Sequence, residues 1–318
     1  MTHNDAEQLD NLDRALLARL QVDGRENNRS LAKALGANEV TVAARIRRME
    51  ENAFMRVVAV ADMRMFGHRE FAFALMKTTA RSALDIASDV AKLPESVAVL
   101  VTTGRYDLIA PILGRDHRHL AELFGETLPL IPGVDEVHGL LVLYVVKFDS
   151  AWAQLSVDPG TTPDAVPTAT VDELDLQIIA LLQRDARRSN RSIAADLDVS
   201  EGTIRGRIKN LLADKVIKIQ AVSDTGAFGI GAFAFFGVVA CNGRIDDVAK
   251  ALAARSDVPQ LSRTLGVFDF IAVAMAPTRA ELVSALLQEV ALIPGIRKIE
   301  IFEAFATTKH TYEWSWLV

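Results

Sequence analysis

The sequence predicts an α+β protein made of two similar halves, in each of which three short helices precede a β-α-β-β-α-β unit. Three observations lead to this prediction: a repeat with one constant offset, helical periodicity at the start of each half, and short β-rich runs in the remainder. With 318 residues, 50% of them hydrophobic, the chain is long enough to form several packed cores. We therefore expect more than one domain.

The repeat extends over nearly the whole chain without a gap. In order, the aligned segments are Leu12-Asp13 with Leu174-Asp175, Asn28-Arg29-Ser30 with Asn190-Arg191-Ser192, Arg45-Ile46 with Arg207-Ile208, Gly104 and Asp107 with Gly266 and Asp269, and Ile131-Pro132-Gly133 with Ile293-Pro294-Gly295. Between the halves, Pro159-Gly160, Pro163 and Pro167 are incompatible with a helix or a central strand. This composition predicts a linker over residues 153–171.

Each half opens with three short amphipathic helices. In the first half, the apolar residues that share a helical face are Leu12, Leu16, Leu17 and Leu20, then Leu31 and Leu35, then Val42, Ile46 and Met49. Asn38 and its counterpart Ser200 stand where they can cap the third helix. A helix, a tight turn and a capped second helix make up a helix-turn-helix, which we place within residues 1–56 and 172–218.

Short β-rich runs alternate with amphipathic helices in the rest of each half. We expect strands at residues 71–78, 97–103, 108–113 and 134–146, and in the second half near 232–240, 258–265, 270–275 and 296–305. The order β-α-β-β-α-β is that of the ferredoxin-like fold, here over residues 57–152 and 219–318. The runs Phe71–Leu75 and Phe233–Phe236 are apolar on both sides, so we expect the two units to pack sheet against sheet.

The composition argues against several classes of protein. A net charge of −6 and a pI near 5.6 are not those of a protein that coats nucleic acid with its whole surface, so DNA binding would need a local basic face. The apolar runs are too short to span a membrane, and the first residues do not resemble a secretory signal, which predicts a cytoplasmic protein. A single cysteine, Cys241, and six scattered histidines predict neither a disulfide nor a metal site. We expect no cofactor and no enzymatic activity, because no catalytic motif is found.

The third helix of each half is the candidate DNA-binding surface. If Val42, Ile46 and Met49 are buried, the opposite face of the helix includes Arg48. This face carries small residues near the start of the helix and basic residues further along. Small residues let a helix approach base edges, while Arg and Lys further along reach phosphates. The resulting candidates for contact with double-stranded DNA are Asn38, Val40, Thr41, Ala44, Arg45, Arg47 and Arg48, and in the second half Ser200, Gly202, Thr203, Arg205, Gly206, Arg207 and Lys209.

The second helix-turn-helix is expected to dominate DNA affinity. Residues 201–218 contain five basic and two acidic residues, whereas residues 39–56 contain four basic and three acidic ones. For either helix taken alone, a solvated basic face on a short amphipathic helix is the alternative. Two copies of the same helix, turn and capped basic helix favour DNA binding instead.

These motifs resemble the helix-turn-helix of the Lrp/AsnC, or feast/famine, family. The resemblance rests on Leu174-Asp175, Asn190-Arg191-Ser192 and the stretch Val199–Ile208, and it is looser in the first half. The resemblance implies dimerisation through ferredoxin-like sensing domains, association into a homo-oligomer that would here be a dimer or tetramer of chains, and modulation by a small-molecule effector such as an amino acid. A duplicated chain departs from the usual single copy of the family.

The resemblance also assigns an effector role to two turns. These candidate effector-binding residues are Gly104, Arg105, Tyr106 and Asp107, and in the second half Gly266, Phe268 and Asp269. From the residues alone, each turn is a hairpin bend in which glycine takes a positive φ and aspartate caps the bend. Arg105 aligns with Val267, so the two sites are not equivalent.

Two other functions are compatible with the sequence. Siroheme decarboxylases are similar in layout, including fused two-copy chains, but their Arg/His-rich motif and Asn-Met-Trp-Phe-like strand are absent where this chain has Gly104–Ile109. A small-molecule-binding protein with degenerate helix-turn-helix units is the other alternative, because Glu50 and Glu51 adjoin Arg47 and Arg48.

Overall fold

The computed structural model describes residues 9–52, 54–62, 67–148, 171–223, 231–310 and 314–315. Within them the chain forms two groups of three helices, a small sheet and a closed barrel flanked by helices. This arrangement confirms the predicted α+β class and the repeated order of elements. Apart from its last residue, the linker predicted over 153–171 lies outside the described residues.

The elements of the two halves correspond one to one, except for a short last strand. Those of the first half are α1 (Asn11–Val22), α2 (Asn28–Leu35), α3 (Glu39–Glu51), β1 (Met55–Asp62), β2 (Glu70–Thr78), α4 (Ala83–Val90), β3 (Ala98–Thr102), β4 (Leu108–Gly114), α5 (His117–Glu122) and β5 (Val134–Phe148). Those of the second half are α6 (Glu173–Arg184), α7 (Asn190–Asp196), α8 (Glu201–Ala213), β6 (Ile217–Ser223), β7 (Ala232–Ala240), α9 (Ile245–Ala253), β8 (Gln260–Leu265), β9 (Phe270–Ala276), α10 (Arg279–Ser284), β10 (Ile296–His310) and β11 (Trp314–Ser315).

The repeated Leu-Asp motif closes the first turn of α1 and of α6. The Asp10 carboxylate accepts a hydrogen bond from the backbone N–H of Asp13 at 2.9 Å, and the Asp13 carboxylate accepts one from the N–H of Asp10 at 3.2 Å. Asp172 and Asp175 repeat this reciprocal capping with distances of 3.0 and 3.2 Å. Each pair satisfies backbone donors that the first turn of a helix leaves without partners.

The six helices of the two groups share one hydrophobic core with strands β1 and β6. Leu16 and Leu20 of α1 and Ile178 and Leu182 of α6 are fully buried in it. Strand β1 pairs antiparallel with β6, from Met55 opposite Ser223 to Ala61 opposite Ile217, and β11 adds a parallel strand beside β1. The sequence pattern predicts that the ferredoxin-like unit begins at residue 57. Instead this β1–β6 ribbon connects the two helix-turn-helix units to each other.

The remaining strands close into a barrel in the order β10-β3-β4-β2-β5-β8-β9-β7. Each half supplies four adjacent strands in ferredoxin-like order, and the halves meet at two seams, β5 with β8 and β10 with β3. The prediction of sheet packed against sheet was incomplete, because the sheet edges also pair. The long strands β5 and β10 carry register shifts at both seams, and such irregularities bend a strand enough to close a sheet.

The barrel interior is a core built from both halves. Phe73 and Phe235 lie edge to face with ring centroids 6.0 Å apart, and Tyr106 and Phe302 lie 5.7 Å apart. Helices α4 and α5 cover the outside of the first half, and α9 and α10 cover that of the second. Closing the barrel removes the exposed strand edges that two separate sheets would have.

The tight turn of each helix-turn-helix requires a residue in the left-handed region. Gly36 has φ 62° and its counterpart in the repeat, Asp198, has φ 53°. A Cβ at Gly36 would meet nothing within 4 Å, so only the backbone conformation opposes a side chain there. Glycine adopts this conformation without the steric cost that other residues have.

We expect Gly36→Ala to lower the free energy of unfolding by about 1 kcal/mol, because alanine is disfavoured at positive φ. The matched change Asp198→Gly should raise it by up to about 1 kcal/mol. Urea unfolding followed by circular dichroism measures both. If Gly36→Ala unfolds at the wild-type midpoint with an unchanged slope, the turn does not have the left-handed conformation described here.

Candidate functional site

The second helix of each helix-turn-helix, α3 or α8, exposes the face that the sequence predicts. Val42, Ile46 and Met49 of α3 are buried. Ile204, Ile208 and Leu211 of α8 are buried in the same way. Of the predicted contact residues within the two helices, the exposed ones are Val40, Thr41, Ala44 and Arg47 of α3, and Gly202, Thr203, Arg205, Gly206 and Lys209 of α8.

Both helices are capped as predicted. The Asn38 side chain accepts a hydrogen bond from the backbone N–H of Val40 at 2.8 Å. The Ser200 hydroxyl accepts one from the N–H of Thr203 at 3.0 Å, and the hydroxyls of Ser200 and Thr203 lie 2.8 Å apart. Capping fixes the first turn, which is the part of a recognition helix that meets base edges in helix-turn-helix proteins.

Gly202 and Gly206 make one face of α8 unusually open. A Cβ at Gly206 would meet nothing within 4 Å, and at Gly202 it would meet only the Ser200 hydroxyl at 3.6 Å. Glycine inside a helix is less favourable than alanine by about 1 kcal/mol, so this space has a cost in stability. Packing among the described residues does not require either glycine, and the open face suits close approach by another molecule.

Four of the predicted DNA-binding arginines make ion pairs within the chain, and three of them pair with aspartates at the start of α1 or α6. Arg45 lies 2.6 Å from the Asp10 carboxylate and 3.2 Å from that of Asp13, and Arg48 also pairs with Asp13, which is fully buried. We expected Arg48 to face outward, but this pairing leaves it half-buried. The cause is the buried Asp13 carboxylate, which requires a cation that sequence periodicity does not reveal.

Arg207 in α8 makes the equivalent contacts. Its guanidinium lies 2.6 Å from the Asp172 carboxylate and 3.1 Å from that of Asp175. The backbone N–H of Asp175 and the Arg207 guanidinium hold the pKa of Asp172 below its usual range, and Asp13 and Arg45 do the same for the pKa of Asp10. Arg45 and Arg207 therefore fasten the recognition helix to the start of the first helix.

The exposed cations that remain are concentrated in the second unit. Arg205 and Lys209 are exposed and form no ion pair with any described residue, whereas Arg47 pairs with Glu51 at 2.7 Å. Arg29 and its counterpart Arg191, at the start of α2 and α7, are likewise exposed and form no ion pair in the described part of the chain. These two arginines are not among the DNA-binding residues predicted from the sequence, although their repeated Asn-Arg-Ser motif was a usable signal.

A reciprocal pair of arginines joins the two helix-turn-helix units. Arg25 donates to the carbonyl oxygens of Ala186 and Arg188 at 2.7 and 2.8 Å and to the Asn190 side chain at 3.0 Å. Burial lowers the pKa of Arg25. Each contact joins the turn after α1 to the turn after α6 or to the start of α7.

Its counterpart Arg187 reaches back to the first unit. The Arg187 guanidinium donates to the Gly24 carbonyl at 3.2 Å and to the Asn28 side chain at 2.9 Å. Together with the β1–β6 ribbon and the shared core, these contacts hold α3 and α8 in one fixed relation.

The predicted effector turns lie at the two seams of the barrel. Gly104 and Gly266 have φ 117° and 149°, as predicted. A Cβ at Gly104 would meet the Ile301 carbonyl oxygen at 3.1 Å, and one at Gly266 would meet the Gly139 carbonyl oxygen at 2.9 Å. Each turn therefore approaches the long strand of the other half.

The aspartates of these turns do not cap their own bends as expected. Asp107 accepts a hydrogen bond from the backbone N–H of Thr78 at 2.7 Å, and Asp269 accepts one from the N–H of Ala240 at 2.9 Å. Each carboxylate thereby joins its turn to the end of the neighbouring strand, β2 or β7. Both have a structural role that sequence alone did not identify.

Beyond these aspartates the two turns differ in chemistry. Arg105 lies over the Tyr106 ring, 5.3 Å from its centroid, and 3.6 Å from the Glu300 carboxylate of the other half. The Tyr106 hydroxyl is buried and makes no hydrogen bond with any described residue. Burial raises the pKa of this tyrosine. In the second turn Val267 and the buried Phe268 take these positions, so only the first turn offers polar groups at its seam.

Comparisons with known protein families match most of the described chain. The AsnC-type helix-turn-helix domain matches residues 9–50 and again 171–212. The Lrp/AsnC ligand binding domain matches residues 72–152, and a C-terminal dimeric alpha+beta barrel domain matches residues 240–317.

Curated relatives agree with these matches. The HTH-type transcriptional regulator FL11 of Pyrococcus horikoshii is 35% identical over 140 residues, which are 44% of this chain and 92% of the relative. The chain belongs to the Lrp/AsnC family. The regulator FL11 of Pyrococcus furiosus is 34% identical over the same shares of the two chains. Each relative corresponds to about half of this chain, which places two Lrp/AsnC units in one polypeptide.

One solved structure shares the layout of the whole Lrp/AsnC duplicate. A siroheme decarboxylase, NirDL, covers 95% of this chain and is itself covered over 93%, with a TM-score of 0.67 and 16% identity. This likeness shows that the fold of two fused units has been observed before. No helix in the described parts of the chain is long and apolar enough to cross a membrane.

We expect the double variant Arg25→Ala/Arg187→Ala to make the distance between α3 and α8 more variable. It removes the hydrogen bonds that each arginine makes with the opposite helix-turn-helix unit. Spin labels at Ala44→Cys and Gly206→Cys, in a Cys241→Ser background, report the distance between the two helices. The distance distribution should be narrow in the parent and clearly broader in the variant. The matched control Arg29→Ala/Arg191→Ala removes exposed arginines and should stay narrow; equal widths in all three proteins would show that the reciprocal arginines do not fix the pair.

Proposed function

We propose that this chain is a cytoplasmic, sequence-specific DNA-binding transcription regulator of the Lrp/AsnC type, whose two helix-turn-helix units bind one operator as a fixed pair. The observation that carries the proposal is the presence of two capped recognition helices, each with an open outer face, within one shared core. In helix-turn-helix proteins such a helix lies in the major groove. A small-molecule effector such as an amino acid, bound by the barrel, would modulate the affinity.

The structure supports different roles for different candidate DNA-binding residues. The proposed base-reading surface consists of Val40, Thr41 and Ala44 in α3 and of Gly202, Thr203, Arg205 and Gly206 in α8. Arg29, Arg191, Arg47 and Lys209 are the proposed phosphate contacts, since helix-turn-helix proteins also meet the backbone through the first helix. Asn38 and Ser200 present the helix N-termini, and Arg45, Arg48 and Arg207 position the helices.

The second unit is proposed to supply more of the affinity. Lys209 and Arg205 are free of ion pairs among described residues, whereas Arg47 must leave Glu51 to meet a phosphate. The acidic Glu50 and Glu51 also lie on the exposed side of α3 and repel a phosphate backbone. The alternative of two degenerate units is less well supported, because neither face is covered by described residues.

Lys209→Ala should weaken binding to promoter fragments and flatten the dependence of log affinity on log salt by about 0.9, the effect of one lost phosphate contact. The matched variant Arg207→Ala removes an equal charge from the same helix. Because Arg207 pairs with Asp172 and Asp175, it should lower the stability of the second unit and leave the salt slope nearly unchanged. Fluorescence anisotropy titrations at several salt concentrations give both slopes.

The outcomes separate the roles of the two residues. A flattened slope for Arg207→Ala, with Lys209→Ala unchanged, would reverse the assignment of phosphate contact and positioning. Absence of salt-dependent binding by the wild-type chain to any promoter fragment, including that of its own gene, would contradict the proposed function itself.

The seam between β3 and β10 is the proposed effector site. There Arg105 offers a cation to a polar ligand, and the Tyr106 hydroxyl, which has no hydrogen-bond partner among the described residues, offers a hydrogen-bonding group. The Gly266, Phe268 and Asp269 turn is proposed to have lost this capacity, since Val267 and Phe268 replace the polar side chains. The ligand-binding match over residues 72–152 supports the choice of the first half.

Association of chains into a dimer or tetramer is proposed to use the outside of the barrel. Leu143 on β5 and its counterpart Phe305 on β10 are 50% and 61% exposed, at equivalent positions of the two long strands. Phe305→Asp should shift sedimentation velocity profiles at micromolar concentration from a dimer or tetramer to a single chain, because it places a charge in a buried apolar contact. A wild-type profile of single chains only would contradict this part of the proposal.

An enzymatic function of the siroheme decarboxylase kind is the second candidate, because NirDL shares the layout of the whole chain. The residues Gly104–Ile109 lack the motif described above, so we propose that this chain is not an enzyme. An absorption spectrum after incubation with siroheme distinguishes the two functions. A stable shift of the siroheme bands followed by loss of carboxylate groups would favour the enzyme.

A further inference from the structure

Two recognition helices with different faces are held about one approximate two-fold axis. In the β1–β6 ribbon Val58 pairs with Gln220, and the repeat also aligns these two residues with each other. The axis therefore passes between them. The reciprocal contacts of Arg25 and Arg187 obey the same axis. A pair of identical recognition helices related in this way would read the same sequence on both DNA strands.

The two helices of this chain are not identical where they are exposed. Thr41 and Thr203 agree. From residue 40 to residue 47 of α3 and the aligned residues 202 to 209 of α8, the exposed pairs that differ are Val40 and Gly202, Ala43 and Arg205, Ala44 and Gly206, and Arg47 and Lys209. The differences therefore fall on the surface that DNA would meet, while the buried positions of both helices remain apolar.

Helix α3 offers apolar groups near its N-terminus. Val40 is 76% exposed, although a valine side chain is ordinarily more stable when buried. Ala43 and Ala44, one turn later, carry no hydrogen-bonding side chain. In the major groove an apolar side chain distinguishes thymine by contact with its methyl group.

Helix α8 offers a guanidinium at the position where α3 has Ala43. Arg205 is exposed, and no described acidic residue pairs with it. The open positions of Gly202 and Gly206 on either side allow the backbone of α8 to lie closer to the base edges. A guanidinium pairs in a bidentate way with the O6 and N7 atoms of guanine, the commonest specific contact in the major groove.

We propose that the operator is non-palindromic, with a thymine-containing half-site beneath α3 and a guanine-containing half-site beneath α8, and that the chain binds it in one orientation. This inference rests on the DNA-binding function proposed above. It follows from the fusion of two units, because a single chain supplies one helix of each kind at a fixed spacing. Val40 and Arg205 are the residues that distinguish the half-sites.

Selection of bound DNA from a random library by the full wild-type chain tests the proposal. The expected motif has two unlike halves, and replacing the guanine of one half should weaken binding roughly tenfold or more, the usual cost of losing a bidentate contact. If the half-sites beneath α3 and α8 of a single chain form a palindrome, this inference is overturned and the proposed function stays intact. Failure to enrich any motif would overturn the proposed function and this inference with it.

A helix-face exchange supplies the control. The variant Gly202→Val/Arg205→Ala/Gly206→Ala/Lys209→Arg gives α8 the residues of α3 at these four exposed positions, and it removes two helix-interior glycines, so the helix should fold at least as well. It should select a palindrome made of two thymine-containing halves. If it selects the same motif as the wild type, these four positions do not determine the operator sequence and the proposal is wrong.

Discussion

The contact between the two helix-turn-helix units is the constraint on which the rest of the molecule depends. Arg25 and Arg187 each place a guanidinium among carbonyl and amide oxygens of the opposite unit, and the β1–β6 ribbon pairs one strand from each half. A helix-turn-helix of about 45 residues has a small core of its own, and small domains bury too little surface to be very stable alone. Sharing one core solves this problem and, as a consequence, fixes the relation of the two recognition helices.

The two ferredoxin-like sheets also stabilise each other, because they form one barrel with a shared interior core. Each ferredoxin-like sheet has two edges and one uncovered apolar face. When the edges of two sheets pair into a barrel, neither the edges nor the apolar faces remain exposed. In a symmetric dimer the two seams would be identical. Fusion of the halves has allowed them to differ, so that Arg105 and Tyr106 occupy one seam while Val267 and Phe268 occupy the other. The recognition helices have diverged in the same way, because Val40 of α3 aligns with Gly202 of α8 in the repeat.

Periodicity and the repeat predicted most elements of the fold, because apolar residues every three to four positions in helices and buried runs in strands are local signals. They did not reveal that β1 pairs with β6, since strand partners depend on contacts distant in sequence. The same limit explains the arginines. Arg48 looks exposed on a helical wheel, but the buried Asp13 lies across the unit and binds it. Exposed residues such as Val40 and Gly206 were predicted correctly because their position depends only on the helix itself.

The most direct test of a fixed pair is the affinity of the chain for operators in which base pairs are inserted between the two half-sites. A fixed pair predicts a large loss, roughly tenfold or more, for a five-base-pair insertion that places the half-sites on opposite faces of the duplex. Because the shared core also fixes the distance between α3 and α8, a ten-base-pair insertion should not restore the affinity. Equal affinity for all three operators would contradict the account, since it would require two units that move independently.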